Sequence, residues 1–396
     1  MNSLQRSYQR NISLSLWLQV FANFGIATLW ILYLTQQGMS MVEIGLLESV
    51  RQLTSLIFEV PSGVLADRFS YKSNLIISRV LAASSALLMI YATNFWGFAI
   101  AMIVAALSSN FESGTTSAFL FSSLTALKRQ SEFLRYNSWM SGVLEVTVAL
   151  GQMCAGFFAH RGLVKTYWIS LAFTAVTLIL IGFLKEPEDR VKEKEPHTSI
   201  ISILKNVGVA FKQTPLLLRW MVQYSFFLSL LLLFDFYYQS QMNALSGWLI
   251  SVIMLIGTLI DLLGVWIGAR LGSRHTSLQL LPWIVLMTGA SLLLVIFKID
   301  WLNIFIYTFA NGLMAGIDPV FDNDIQQRIP ANVRATMGSI SSMIYSVSAL
   351  IVFPAMGWLI DQFGFIHSFI GLGGFMLIGG VVLVIRNKRM SRVIGV

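Results

Sequence analysis

Gly63-Val-Leu-Ala-Asp67-Arg68-Phe-Ser-Tyr-Lys72 is a short charged turn set between two apolar runs, near 41 to 66 and 73 to 93. A helix needs about 20 apolar residues to cross the hydrocarbon core of a bilayer, so each flanking run is long enough to span and the turn reads as the polar connector between two crossings. Toward the N-terminus lies one more run, near 12 to 34, which is too long for a signal-peptide core, lacks a small-x-small cleavage site and is expected to stay as the first span. Toward the C-terminus, runs near 96 to 125, 137 to 159 and 164 to 184 complete a first set of six. A second set follows near 215 to 238, 246 to 270, 276 to 298, 302 to 325, 335 to 361 and 364 to 386. The predicted fold class is therefore an all-α membrane protein of about twelve transmembrane helices.

Between the two sets lies the one long polar stretch, which opens KEPEDRVKEKEP at Lys185. It divides the chain into a predicted N-terminal bundle over 1–184, a linker over 185–214 and a C-terminal bundle over 215–396. Within the linker, Ile200, Ile203, Leu204, Val207, Ala210 and Phe211 recur at helical spacing, the pattern of a helix lying on a membrane surface.

Composition agrees with this layout and removes other classes. Of the 396 residues 56% are hydrophobic and only 12% charged, far from the balance of a soluble domain. The net charge of +8 does not mark a nucleic-acid binder, because the basic residues fall in short connectors between apolar runs. With the N-terminus in the cytoplasm, only Arg161, Lys165 and Lys298 face outward, Arg51 and Arg79 lie within spans, and the remaining Lys and Arg are cytoplasmic. The expected setting is the cell membrane, with both termini inside. Cys154 is the only cysteine, and His160, His197, His275 and His367 are scattered, so no disulfide framework, metal centre or cofactor is expected, and the chain is not read as an enzyme.

Charges at membrane depth are costly and are functional candidates by default. Glu48, Glu59, Glu112, Glu145, Asp235, Asp261 and Asp318 fall inside proposed spans, against the two bases Arg51 and Arg79. In span 2, Glu48, Arg51, Ser55 and Glu59 follow at intervals of three, four and four and form one polar stripe, expected to face a cavity. Glu48 and Arg51 are one turn apart and can neutralise each other. Span 4 carries a similar stripe in Ser108, Glu112, Thr115 and Thr116, and span 1 offers Gln19 and Asn23. Glu112, Glu145, Asp235, Asp261 and Asp318 have no opposite charge within one turn of their own helix. They are the candidates for proton or substrate binding, the alternative being a pairing with Arg51 or Arg79 across helices. Gly142, Gly151 and Gly156 in span 5 are expected to permit close helix contact.

The two halves echo each other. Arg129 and Arg135 follow span 4 as Arg328 and Arg334 follow span 10, and the GVLADRFSYK turn after span 2 is matched weakly by GVWIGARLGSR after span 8.

The turn itself resembles the signature loop of the major facilitator superfamily, G-x-x-x-D-[RK]-x-G-[RK]-[RK]. Gly63, Asp67, Arg68 and Lys72 match it, while Ser70 stands where the family has Gly and Tyr71 where it has a basic residue. The preceding Phe58-Glu59-Val60-Pro61 is similar to a bacterial subgroup of the same superfamily. The resemblance implies two pseudo-symmetric six-helix bundles around a central cavity that opens alternately to each side. It also implies a gating role for the loop, with Asp67 latching onto the N-terminus of span 11. Physics agrees: an anion at the C-terminal end of its own helix is disfavoured by about 0.3 to 1 kcal/mol, and a helix N-terminus elsewhere can hold it. The G-x-x-x-G-P-x-x-G-G pattern of drug/proton antiporters is missing from span 5. The functional expectation is a secondary transporter, exporting hydrophobic or cationic small molecules in exchange for protons. Proton-coupled uptake of a nutrient is the alternative, and a sensor or scaffold on the same fold a third reading.

Overall fold

The computed structural model describes residues 3–187, 215–328 and 334–394, whose only regular secondary structure is helix, with no strand among the described residues. The helices are α1 (Ser3–Ala22), α2 (Trp30–Gln36), α3 (Met41–Arg68), α4 (Tyr71–Tyr91), α5 (Phe95–Glu112), α6 (Thr115–Ala126), α7 (Phe133–Gly156) and α8 (Val164–Gly182). After the linker come α9 (Pro215–Gln241), α10 (Gly247–Gly272), α11 (Ser277–Leu292), α12 (Asp300–Arg328) and α13 (Arg334–Ile394). Eight of the described helical stretches are long and apolar enough to cross a bilayer. The expected surface helix of the linker lies outside the described residues.

At three places the chain departs from one straight helix per span, each for a local reason. Span 1 is split into α1 and α2 by the segment 23–29, where Gly25 lies so close to Gly151 and the Val148 carbonyl that no side chain would fit. Span 4 is split into α5 and α6 at Gly114, whose φ of +72° is open to glycine and strained for other residues. Spans 11 and 12 run on as α13 and are separated by Gly364 alone, at φ 80° and ψ 159°. Helix starts follow ordinary capping rules: Ser70 accepts from the Ser73 amide and Asn94 from the Gly97 amide, at 3.1 and 3.0 Å. The connector after span 4 is closed by Arg129, which donates to Glu132 through Nε and Nη2 at 2.5 and 2.8 Å and holds that half-buried carboxyl below its ordinary pKa.

The chain forms two compact units. One comprises Met1–Tyr33, Val50–Thr198 and Ser246–Ser251, and the other Leu34–Ser49, Ser199–Leu245 and Val252–Val396. In the first, Leu18, Leu75, Phe119, Ile181 and Leu184 pack together, and a second cluster gathers Ile12, Leu120, Leu124 and Met140. Gly151 meets the backbone of Gly25 and Gly156 that of Gly247 and Ser251, as expected of small residues, whereas Gly142 faces open space. In the second unit α9 is the buried centre, with Trp220, Phe234 and Tyr237 fully enclosed. Gly264 and Gly268 of α10 lie against Gly312 and Gly316 of α12, where any side chain would run into the opposite backbone. Large apolar residues stay exposed, among them Trp266, Trp283, Ile351 and Phe375, as expected of a chain in a bilayer.

Candidate functional site

In the first unit the polar centre forms where two spans break. Arg79 of α4 is buried and points at Glu112, the last residue of α5, to form an ion pair. The same guanidinium donates to the carbonyl of Ala22, where α1 ends, at 3.2 Å, and to Ser78 Oγ at 3.2 Å. A cation thus meets both a carboxylate and a free helix C-terminus, the two partners that stabilise it best away from water. Beside the pair opens a cavity of about 220 Å³ lined by Gln19, Asn23, Glu112, Thr116, Ser117 and Asn137. Ser117 Oγ donates to Asn137 Oδ1 at 3.0 Å, so the wall is already organised by hydrogen bonds. Ser108 and Thr115 of the span 4 stripe are spent on helix packing: Ser108 donates to the Ser78 carbonyl at 2.9 Å and Thr115 to the Phe111 carbonyl at 2.9 Å.

The span 2 stripe is resolved residue by residue. Glu48 is buried, Arg51 half-buried, and each has an interaction partner. Ser55 donates to Asn110 Oδ1 at 3.0 Å, and its carbonyl takes the Asn110 amide at 3.1 Å. Glu59 and Glu145 are exposed, which sets them apart from the enclosed acids.

In the second unit Asp235 and Asp318 are held by neutral donors. Asn311 of α12 donates to Asp235 of α9 at 2.8 Å, while the hydroxyl of Tyr307, one turn away on α12, faces Met254 Sδ at 3.8 Å and lies within electrostatic reach of the same carboxylate. Asp261 of α10 lies within electrostatic reach of Tyr307. Further along, Tyr224 donates to Asp318, and its ring is stacked on Phe321 with centroids 3.6 Å apart. The structure thus brings Asp235 and Asp261 around one tyrosine and keeps Asp318 in a separate pair.

Of the gating motif, the side chains of Gly63, Asp67 and Arg68 and the residues leading into span 11 lie outside the described set, so the Asp67 latch is not part of it. Lys72 is described: its Nζ donates to the carbonyls of Gly182 and Leu184 at 2.8 and 3.3 Å, capping the C-terminus of α8. Three acids that sequence reasoning had assigned no role hold helix N-termini. Glu186 accepts from the Tyr71 and Lys72 amides at 2.9 and 3.1 Å, Asp324 from the Ser277 amide at 2.6 Å, and Asp361 from the Met41 and Val42 amides at 3.0 and 2.8 Å. Each stands at the end of a span, where the helix's own dipole repels it, and that position is the signal that could have found it.

An all-helical membrane protein with paired bundles, broken helices and a polar centre at the breaks has the build of a secondary transporter. The sequence matches the Major Facilitator Superfamily over residues 12–297, and the chain belongs to that family. It is 26% identical over 201 residues to the uncharacterized MFS-type transporter YxaM of Bacillus subtilis (strain 168), covering 48% of each chain. It is 27% identical over 184 residues to the class H tetracycline resistance protein of Pasteurella multocida, covering 46% of this chain and 44% of that one. The chain thus spans about half the length of the curated relatives it matches. Among solved structures, the nucleoside transporter NupG superposes with a TM-score of 0.71 at 14% identity, over 98% of this chain and 99% of that one. A D-xylose-proton symporter superposes with a TM-score of 0.66 at 12% identity, over 95% and 96%. These likenesses show the major facilitator fold.

Proposed function

We propose that this transporter is proton-coupled and exports small amphiphilic molecules, cations among them, across the cell membrane, with both termini cytoplasmic. The observation that carries the coupling is the setting of Asp235: its carboxylate is held by the neutral amide of Asn311, so it can take up a proton without breaking an ion pair with that partner. Asp261 and Asp318 are the neighbouring candidates for the same role. Glu112 is matched by Arg79, so the first-unit cavity holds no net charge from that pair, and any preference for cations falls to the acids of the second unit. Export is the direction in which a transporter would confer resistance, and the chain is similar to a protein named for tetracycline resistance. In this reading the Gly63, Asp67, Arg68 and Lys72 loop latches the cytoplasmic side, and the bundles over 1–184 and 215–396 rock about it.

A second reading, uptake of a polar metabolite, is favoured by the amide and hydroxyl lining around Gln19, Asn23, Thr116 and Asn137. One experiment separates the two. Inside-out vesicles are loaded by an imposed proton gradient in the presence of lipophilic cations, neutral amphiphiles, sugars or nucleosides. Export predicts gradient-driven accumulation of the amphiphiles, lost in Asp235→Asn; accumulation confined to sugars or nucleosides in right-side-out vesicles supports uptake. Full accumulation by Asp235→Asn, Asp261→Asn and Asp318→Asn alike would remove the coupling role.

A further inference from the structure

The first turn of α3 leaves two amide groups that its own residues cannot satisfy. Ser40 and Glu43 form a reciprocal cap: Ser40 N and Oγ both donate to Glu43 Oε2 at 2.9 Å, and the Glu43 amide returns to Ser40 Oγ at 3.3 Å. The Met41 and Val42 amides remain, and both are taken by Asp361, one by each carboxylate oxygen, across 320 residues of sequence. Asp361 ends the first arm of α13, where its own helix dipole disfavours it, and α3 offers the positive end that it lacks.

The helices behind this contact are shaped to meet. A side chain on Gly45 would strike the Tyr237 hydroxyl and the Phe353 carbonyl, and one on Gly357 would strike the Met41 carbonyl. Tyr237 donates to the Phe353 carbonyl at 2.7 Å, and Ser49 to the Leu350 carbonyl at 3.1 Å. These contacts put Leu34–Ser49 in the second unit, while α3 from Val50 onward belongs to the first. One continuous helix is thus shared, and Asp361 holds its N-terminal third.

The sequence around Asp361 repeats the loop at the other end of α3. Gly63-Val-Leu65-Ala-Asp67-Arg-Phe69 and Gly357-Trp-Leu359-Ile-Asp361-Gln-Phe363 share Gly, Leu, Asp and Phe in the same register, each closing a span. We infer that Asp361 is a gating residue, the reciprocal of the Asp67 loop: it clamps the outer end of α3 in one conformation and releases it in the other. The clamp is exposed to water and rests on one carboxylate, one serine hydroxyl and a glycine crossing, which suits a contact that must break in each cycle. This inference rests on alternating access and is independent of substrate and direction.

The test therefore uses no substrate. In full-length protein with Cys154→Ser, a reporter cysteine at Ser49, buried beneath the clamp, and a second at Phe69, exposed at the far end of α3, are labelled separately with a maleimide in membranes. Asp361→Ala should raise labelling at position 49 about five-fold or more and lower it at position 69, because one population grows as the other shrinks. Asp361→Glu should stay near the parent. Met41→Pro removes one of the two donors at a helix position where proline is well accommodated, and should act in the same direction if the aspartate variant fails to fold. Unchanged labelling at both reporters, or a rise at 49 with none of the reciprocal fall at 69, would reduce Asp361 to a static helix cap and overturn the proposal.

Discussion

At the scale of single residues, the charges of this protein divide by what holds them. Arg79 and Glu112 hold each other, with Arg79 6% and Glu112 26% exposed at the side chain. Breaking such a pair leaves an uncompensated charge away from water, which costs about 3 kcal/mol, the lower end of the range for buried pairs because Glu112 is partly open. Arg79→Gln and Glu112→Gln should each lower the unfolding temperature of purified protein, and the double variant should regain part of the loss. Equal stability of the singles and the parent would mean that the pair contributes nothing to the fold. Asp235 behaves differently, since its partner Asn311 is neutral, and its amide variant is expected to keep the fold while losing the proposed proton coupling.

At the scale of elements, breaks in helices matter as much as the helices. The split in span 1 frees the Ala22 carbonyl for Arg79, and the split at Gly114 ends α5 at Glu112, so the polar centre is made by chain ends as well as side chains. Gly364 separates the last two spans at a backbone conformation that residues with a Cβ scarcely adopt. Gly364→Ala is expected to cost about 1–3 kcal/mol. Because the strain falls on the turn that follows Asp361, thermal unfolding of the variant in detergent should shift to lower temperature. An unshifted transition would show that the turn relaxes without it.

At the scale of the whole molecule, topology follows from alternation along the chain. With the N-terminus inside, a cysteine placed at His160 or Asp300, both exposed, should react with an impermeant thiol reagent from outside cells, once Cys154 is replaced. A cysteine at Ser70 should react only after the membrane is opened. The reverse pattern would invert the orientation and, with it, the meaning of outer and cytoplasmic in the gating scheme.

Apolar run length and the placement of Lys and Arg determine by themselves that the chain crosses a membrane about twelve times, because a bilayer imposes a length on every span and leaves no backbone group unpaired. The candidate acids were legible for the same reason: charge at membrane depth is rare enough to stand out in Glu112, Asp235 and Asp318. Their partners were not. Arg79 lies 33 residues from Glu112 and Asn311 lies 76 from Asp235, and helical periodicity sees only neighbours three or four residues apart. The same limit hid Glu186, Asp324 and Asp361, whose amide partners belong to other helices. Only tertiary structure decided which helix end each carboxylate meets, because a dipole's open amides attract whichever anion the packing of distant spans brings within about 3 Å.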